Sequence, residues 1–194
     1  DKQYLTREQV MMMDILANND WKRGIYFSSP YGSSVSIALY QAGHVRQNGV
    51  TYELSPIKME NNNPIDKDKM YTNLMKTYDY GKMNKPGVLT DYYTRRHTSQ
   101  YRSNFARLAE VFVRSAETEV NKEKSYRPEI ARLRAGGNTR IADSLENSLK
   151  NSAANIADYN KKAIELVRKS IEVMPINRVI DYGEPNADGR KLRG

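Results

Sequence analysis

From residue 98 to residue 174, apolar side chains recur at intervals of three and four residues, and this spacing constrains the fold more than any other feature. The first run consists of Tyr101, Phe105, Leu108, Phe112, Ala116 and Val120. A second run begins at Ile141 and keeps the same spacing as far as Met174. Because such intervals bring side chains to one face of an α-helix, the sequence predicts long amphipathic helices that pack on one another.

Helix-breaking residues divide this region. Pro128 and the turn Gly136-Gly137-Asn138 predict a short, strongly basic helix between them, because proline and glycine are poor helix formers. The second apolar run predicts either one long helix over 138–174 or two helices with a bend near residues 153–155.

The N-terminal part of the chain mixes helix and strand patterns. Thr6 and Gln9 have the spacing of a capping box, which predicts a helix over 7–18. Apolar residues cover so much of its circumference that we expect this helix to be mostly buried. Residues 25–28 and 50–54 have strand patterns, and a helix over 33–42 lies between them. A further helix, capped by Asp66, is predicted to about residue 78.

The order strand, helix, strand predicts a βαβ unit, whose two strands would be parallel. Because two strands make a poor sheet, we expect a third from elsewhere in the chain or from a longer parent protein.

Composition excludes several classes of site. The chain contains no cysteine, which excludes disulfides, thiolate zinc sites and cysteine nucleophiles. Its two histidines, His44 and His97, are too few for a histidine-rich metal cage, and neither has a carboxylate and a nucleophile at motif spacing. We therefore predict no metal, cofactor or catalytic residue. The chain lacks a signal peptide, a membrane-spanning apolar run and an initial methionine, so we expect a fragment of a longer protein.

The net charge of +8 is concentrated in one segment, since residues 95–140 hold 11 basic and 5 acidic side chains. The predicted basic surface consists of Arg95, Arg96, Arg102, Arg107, Arg132 and Arg134. Tyrosines interleave with its first members, as in surfaces that stack bases and neutralise phosphates. Three readings remain open: nucleic-acid binding, contact with an acidic membrane surface or glycan, and a plain solvated helix face.

A second candidate site is the turn between the first strand and the second helix. Its residues are Ser28, Ser29, Tyr31, Gly32, Ser33 and Ser34. Hydroxyls and free amides at a helix N-terminus suit an anionic sugar or nucleotide. The turn lacks the lysine of a P-loop and the glycines of a dinucleotide fingerprint, so ordinary helix capping is the competing interpretation.

Several segments together resemble one protein family. They are residues 5–27, which begin Leu-Thr-Arg-Glu-Gln-Val-Met-Met-Met, and residues 52–58, 66–75, 95–99 and 104–109. The sequence resembles the soluble C-terminal region of a family of bacterial multi-spanning membrane proteins, common in Bacteroidetes. That family carries a domain of unknown function and is similar to protein O-mannosyltransferases of the GT-C glycosyltransferase class.

The resemblance implies a fold in which an α/β unit precedes tetratricopeptide-like antiparallel helices. We accordingly predict an α+β, mostly helical class, with a small N-terminal βαβ-like unit and a long helical insertion over 119–158. The predicted domains are a small α/β subdomain over 1–94, a helical subdomain over 95–180 and a flexible tail over 181–194. Gly24 stands where the family usually has proline before the strand.

The resemblance also implies a function. We expect a non-catalytic accessory domain on the periplasmic side of the inner membrane, as part of a membrane-embedded glycosyltransferase-like parent. Its partners would be the rest of that parent and a protein acceptor, glycan or partner subunit. The alternatives are an enzyme or binder of an anionic sugar or nucleotide at the Ser28–Ser34 turn, and nucleic-acid binding through 95–140.

Overall fold

The computed structural model describes residues 4–59 and 64–176, which form two compact units divided after Tyr78. The first unit contains α1 (Arg7–Asn19), β1 (Tyr26–Phe27), α2 (Ser34–Gln41), β2 (Val45–Gln47), β3 (Tyr52–Leu54) and α3 (Lys67–Thr72), followed by a π-helical turn (Asn73–Thr77). The second contains α4 (Tyr92–Ala135), α5 (Thr139–Leu149) and α6 (Ser152–Val173). The predicted α+β, mostly helical class is confirmed.

The sheet of the first unit has the strand order β1-β3-β2, and both strand pairs are antiparallel. The predicted parallel arrangement is therefore wrong. The third strand is β2, which lies just before the Asn48-Gly49 turn. Asn48 donates its backbone N–H to the carbonyl of Thr51 across that turn, at 3.2 Å. A turn this short can join only antiparallel neighbours, so β2 and β3 form a hairpin and β1 adds to its free edge.

Helix α1 begins as predicted, because Thr6 and Gln9 form both hydrogen bonds of a capping box. The prediction that it is mostly buried is wrong, since none of its residues is buried. Met11 and Met13 are 64% and 54% exposed. A helix that is apolar nearly all round needs neighbours on several sides, and α1 packs mainly on α2.

The core of the first unit lies between the hairpin and α3. Val45 and Leu54, which are paired across β2 and β3, are buried together with Met70 and Leu74. Asp66 caps α3 by accepting a hydrogen bond from the Lys69 backbone N–H, as predicted.

The second unit is built on the antiparallel packing of α6 against α4. Its core includes Phe105, Leu108, Phe112, Ala116, Leu166 and Met174. Phe112 of α4 lies 6.0 Å from the Tyr159 ring of α6, and Ser152 at the start of α6 donates a hydrogen bond to Glu119 at 2.8 Å. The apolar spacing of the sequence thus identified the packed face of α4, whereas the apolar run of α6 also includes side chains that are about half exposed.

Helix boundaries in the second unit differ from the sequence prediction. Pro128 lies inside α4, which continues to Ala135, so no separate short basic helix forms. The chain reverses at Gly136 and Gly137, and residues 138–174 form two helices that break near Lys150. The predicted insertion 119–158 comprises the C-terminal part of α4, all of α5 and the beginning of α6.

The predicted domain boundaries after 94 and 180 stay predictions. The predicted flexible tail, residues 181–194, lies outside the described residues.

Candidate functional site

The Ser28–Ser34 turn connects β1 to α2, and its hydroxyls take part in local hydrogen bonds. Ser33 is the N-cap of α2, and its Oγ accepts a hydrogen bond from the Ser36 backbone N–H at 3.0 Å. Ser29 Oγ accepts from the Tyr31 backbone N–H at 3.2 Å. Ser34 Oγ accepts from the side-chain amide of Gln9 at 3.3 Å. Ser33 is therefore a helix-capping residue, while Ser29 and Ser34 accept hydrogen bonds from other residues of the same unit. The anion site stays a prediction.

The other two members of this predicted site are on the surface. Tyr31 is 67% exposed, and its ring meets Tyr40 edge to face at 5.7 Å. Gly32 is also exposed, next to the helix start. The structure therefore brings all six predicted residues together, in a turn that is open to solvent.

The predicted basic surface is dispersed along α4. Arg96, Arg107 and Arg132 lie on the helix face opposite the core, but 36 residues separate the first from the last, which corresponds to about 54 Å of helix. Arg132 approaches Glu129 at 3.9 Å. Within the described residues, Arg96 and Arg107 have no ion-pair partner.

The other three arginines of this predicted surface bond within the unit. Arg95 Nε donates to the carbonyl of Asp91 at 3.3 Å. Arg102 donates to the carbonyl of Met174, at the end of α6, and so helps to satisfy that helix terminus. Arg134 bonds to Glu146 and thereby joins α4 to α5. The six arginines do not form one continuous patch.

A groove of about 400 Å³ lies between α4 and α6. It is lined by Val113, Ala116, Glu117, Val120, Asn121 and Lys124 of α4 and by Ile156 and Asn160 of α6. Four of these eight side chains are apolar, and Val113 is 41% exposed. We call this feature the α4–α6 groove. Exposed apolar side chains next to polar ones are typical of protein-binding sites.

The surface of α6 next to the groove is also apolar. Ile164, Val167 and Ile171 are 52%, 49% and 52% exposed, and their spacing of three and four places them on one face. We call these three residues the α6 stripe. Sequence reasoning missed this surface because it assigned the whole apolar pattern of α6 to the core. The apolar side chains of α6 cover a wider arc of the helix than one neighbouring helix can bury, and this width could have revealed the exposed face.

The first unit contains a polar cluster centred on Glu53 of β3. Its carboxylate accepts hydrogen bonds from Lys69 at 2.6 Å and from the Asn48 side-chain amide at 2.9 Å. Burial pushes the pKa of Glu53 upward, but bonding to Lys69 and Asn48 outweighs it and leaves this pKa below 4.5, its ordinary value. The hydrogen bond to Glu53 raises the pKa of Lys69. The cluster links the hairpin to α3, which is a structural role.

The two histidines lie in different units. His44 Nδ1 is 3.0 Å from the carbonyl of Ser55, and His97 is exposed on α4. The described residues contain no group of three or more acidic or histidine side chains that could hold a metal ion. Among the same residues, no helix has the length and apolar character needed to cross a membrane.

Comparison with known protein families gives a match in the N-terminal part of the chain. Residues 1–74 match the family described as TMEM260-associated domain 2, a domain associated with a membrane-protein family. The match spans less than half of the chain. It contains three of the segments that carried the sequence resemblance: 5–27, 52–58 and, apart from Met75, 66–75. The segments at 95–99 and 104–109 lie outside it. No curated protein and no solved structure matches this chain.

Proposed function

We propose that this chain is a non-catalytic accessory domain of a membrane protein, and that its helical unit binds a partner through the α4–α6 groove. The partner is a protein acceptor, a glycan or another subunit. In this proposal the parent is a GT-C-like, protein O-mannosyltransferase-like glycosyltransferase, and the domain lies on the periplasmic side of the inner membrane.

The link to a membrane protein rests on the first unit. Residues 1–74 match a domain associated with a membrane-protein family, and the sequence resemblance independently suggested the soluble part of a multi-spanning protein. An accessory role fits a chain whose polar clusters serve the fold, as Glu53 and Lys69 do when they join the hairpin to α3. The glycosyltransferase parent and the periplasmic location rest on the resemblance.

The observation that carries the binding role is the apolar surface of the second unit. The α4–α6 groove and the α6 stripe leave branched side chains such as Val113 and Ile164 about half in water. Water contact with such side chains is unfavourable, and covering them would stabilise a complex by roughly 25 cal/mol per Å² of buried apolar area, less the cost of association.

Site-specific photo-crosslinking in cells would test this role. A photoreactive residue replaces Ile164 in the full-length parent, and a matched sample carries it at Ile141 of α5, which is exposed to a similar extent at 55%. We expect a discrete crosslinked partner at position 164 and none at 141. Equal labelling at both positions, or none at either, would contradict the proposal.

Protease accessibility would test the location. In intact spheroplasts, added protease should cleave this domain if it faces the periplasm. Cleavage only after the inner membrane is permeabilised would place the domain in the cytoplasm and refute that part of the proposal.

A further inference from the structure

Asn48 and Gly49 form an Asn-Gly pair in the turn between β2 and β3. In such a pair the backbone nitrogen of glycine can attack the side-chain amide carbon of asparagine, because glycine has no side chain to hinder the approach. The bond from that carbon to the amide nitrogen breaks, and this nitrogen leaves as ammonia with the proton of the glycine N–H. A five-membered succinimide ring results. Water opens the ring at either carbonyl and yields aspartate or isoaspartate, so the reaction needs only water.

The fold uses both residues of this labile pair. Gly49 has a φ of +142°, and the Tyr78 hydroxyl occupies the space that a side chain at position 49 would need. The side-chain amide of Asn48 donates to Glu53 at 2.9 Å. Its main-chain carbonyl accepts a hydrogen bond from the Asn73 side chain at 2.6 Å. Asn48 thus joins the hairpin to the π-helical turn, and Gly49 makes room for the tyrosine that follows that turn.

The closed hairpin opposes the reaction at Asn48. The residue is only 3% exposed, so water has little access to it. Its amide oxygen accepts from the Thr51 hydroxyl at 2.9 Å while its amide nitrogen bonds to Glu53, and these two bonds fix an amide group that has to be free to rotate for the attack. Negative charge develops on the amide oxygen during the attack, and the nearby carboxylate of Glu53 makes that charge unfavourable.

Conversion of Asn48 would remove a hydrogen-bond donor and add a negative charge at the same place. A carboxylate at position 48 would face the carboxylate of Glu53, which already pairs with Lys69 at 2.6 Å. Like charges at this distance in a poorly exposed site are unfavourable. Isoaspartate also inserts one carbon atom into the main chain of the turn, so the hydrogen bonds between β2 and β3 would no longer match.

We propose that Asn48 is a deamidation site that the closed β2–β3 hairpin protects, and that its conversion prevents the hairpin from regaining its original stability. The reaction proceeds through the open hairpin, and its rate follows the fraction of molecules in which the hairpin is open. The first unit therefore carries a lasting chemical record of how often it has opened. This inference is independent of partner binding by the second unit.

Peptide mapping of aged protein would test the inference. The full chain and a synthetic peptide of residues 47–58 are incubated side by side at pH 8 and 37 °C, and deamidation is followed by mass spectrometry. Trypsin releases the same residues, 47–58, from the chain, and Asn48 is the single asparagine among them. We expect Asn48 to convert at least about tenfold more slowly in the chain, which corresponds to an opening free energy of about 1.4 kcal/mol or more.

A variant outside the reacting pair tests the role of opening. Gly43→Ala lies just before β2 and leaves the Asn-Gly pair intact. Because Gly43 has a φ of +84°, this change should destabilise the hairpin and speed conversion of Asn48 about fivefold. Asn147, an exposed residue of α5 that is followed by serine, provides the internal control. It is the single asparagine of the tryptic peptide 141–150, and its rate should not change.

Asn48→Asp reproduces one product of the reaction and tests its consequence. The urea midpoint of Trp21 fluorescence should fall, and it should fall less in a Glu53→Gln background, where the second negative charge is missing. Equal rates in the chain and the peptide, an unchanged rate at Asn48 in Gly43→Ala, or an unchanged midpoint in Asn48→Asp would overturn the inference. An equal fall of the midpoint in both backgrounds would refute charge repulsion as the reason why conversion destabilises the hairpin.

Discussion

Replacing Gly49 with alanine should destabilise the first unit much more than the same change at Gly43. Both glycines flank β2 and have positive φ, at +142° and +84°. Their surroundings differ. A Cβ at Gly49 would lie 2.2 Å from the Tyr78 hydroxyl oxygen. The nearest contact of a Cβ at Gly43 would be at 3.5 Å, to the flexible side chain of Lys58.

The magnitude follows from three contributions. A side chain at positive φ costs about 1–2 kcal/mol, and the stiffer unfolded chain offsets about 0.4–1 kcal/mol of it. Gly43→Ala should therefore lower the free energy of unfolding by about 1 kcal/mol. At Gly49 the new side chain would also displace Tyr78, and this crowding adds about 1–3 kcal/mol to the destabilisation. Loss of the hydrogen bond from the Val50 backbone N–H to the Tyr78 hydroxyl adds about 1 kcal/mol. The expected total is about 3–5 kcal/mol, against a stability of about 4–12 kcal/mol for a unit of this size.

Urea denaturation followed by tryptophan fluorescence measures this effect. Trp21 is the single tryptophan of the chain and lies in the first unit, so its emission reports on that unit alone. Circular dichroism would in parallel follow the long helices of the second unit, which should unfold unchanged.

A double-mutant cycle tests the proposed cause. Tyr78→Phe removes the hydroxyl that the new Cβ would meet, so Gly49→Ala should cost less in that background, with a coupling of about 1 kcal/mol or more. If Gly49→Ala is no more harmful than Gly43→Ala, or if the two changes are additive, the steric reasoning is refuted.

Two further predictions concern pH and helix continuity. Because the pKa of Glu53 is lowered in the folded state, its contribution to stability is complete above its unfolded value of 4.5 and is lost as the pH falls through the folded value. Lys69 is about half exposed, so the ion pair contributes about 0.2–1 kcal/mol to the free energy of unfolding. Glu53→Gln should therefore reduce the loss of stability between pH 7 and pH 4, as measured by Trp21 fluorescence. An unchanged loss would contradict this prediction. Pro128→Ala should stabilise the second unit by about 1–3 kcal/mol, since it restores a helix N–H and removes the ring clash inside α4. Thermal unfolding at 222 nm would show this as a higher Tm, and a lower Tm would mean that the proline is needed for the packing of α4.

The sequence alone determined the features that depend on neighbouring residues. The Thr6–Gln9 capping box, the Asp66 cap of α3 and the three- and four-residue spacing around Phe105 and Phe112 were all predicted and are present. Each arises from an interaction within about one helical turn or one turn of chain, so the local sequence contains everything needed to predict it.

Only the tertiary structure decided strand direction, the burial of α1, helix continuity at Pro128 and the presence of an open apolar surface. Strand direction depends on which segment pairs with β3, and β2 was not identified from its three residues. The exposure of Met11 and Ile164 depends on how many neighbours a helix has, which its own pattern does not reveal. Packing of α4 against α5 offsets the local cost of Pro128. The candidate binding surface is thus visible only once α4 and α6 are placed side by side, because it consists of the apolar area that their contact leaves uncovered.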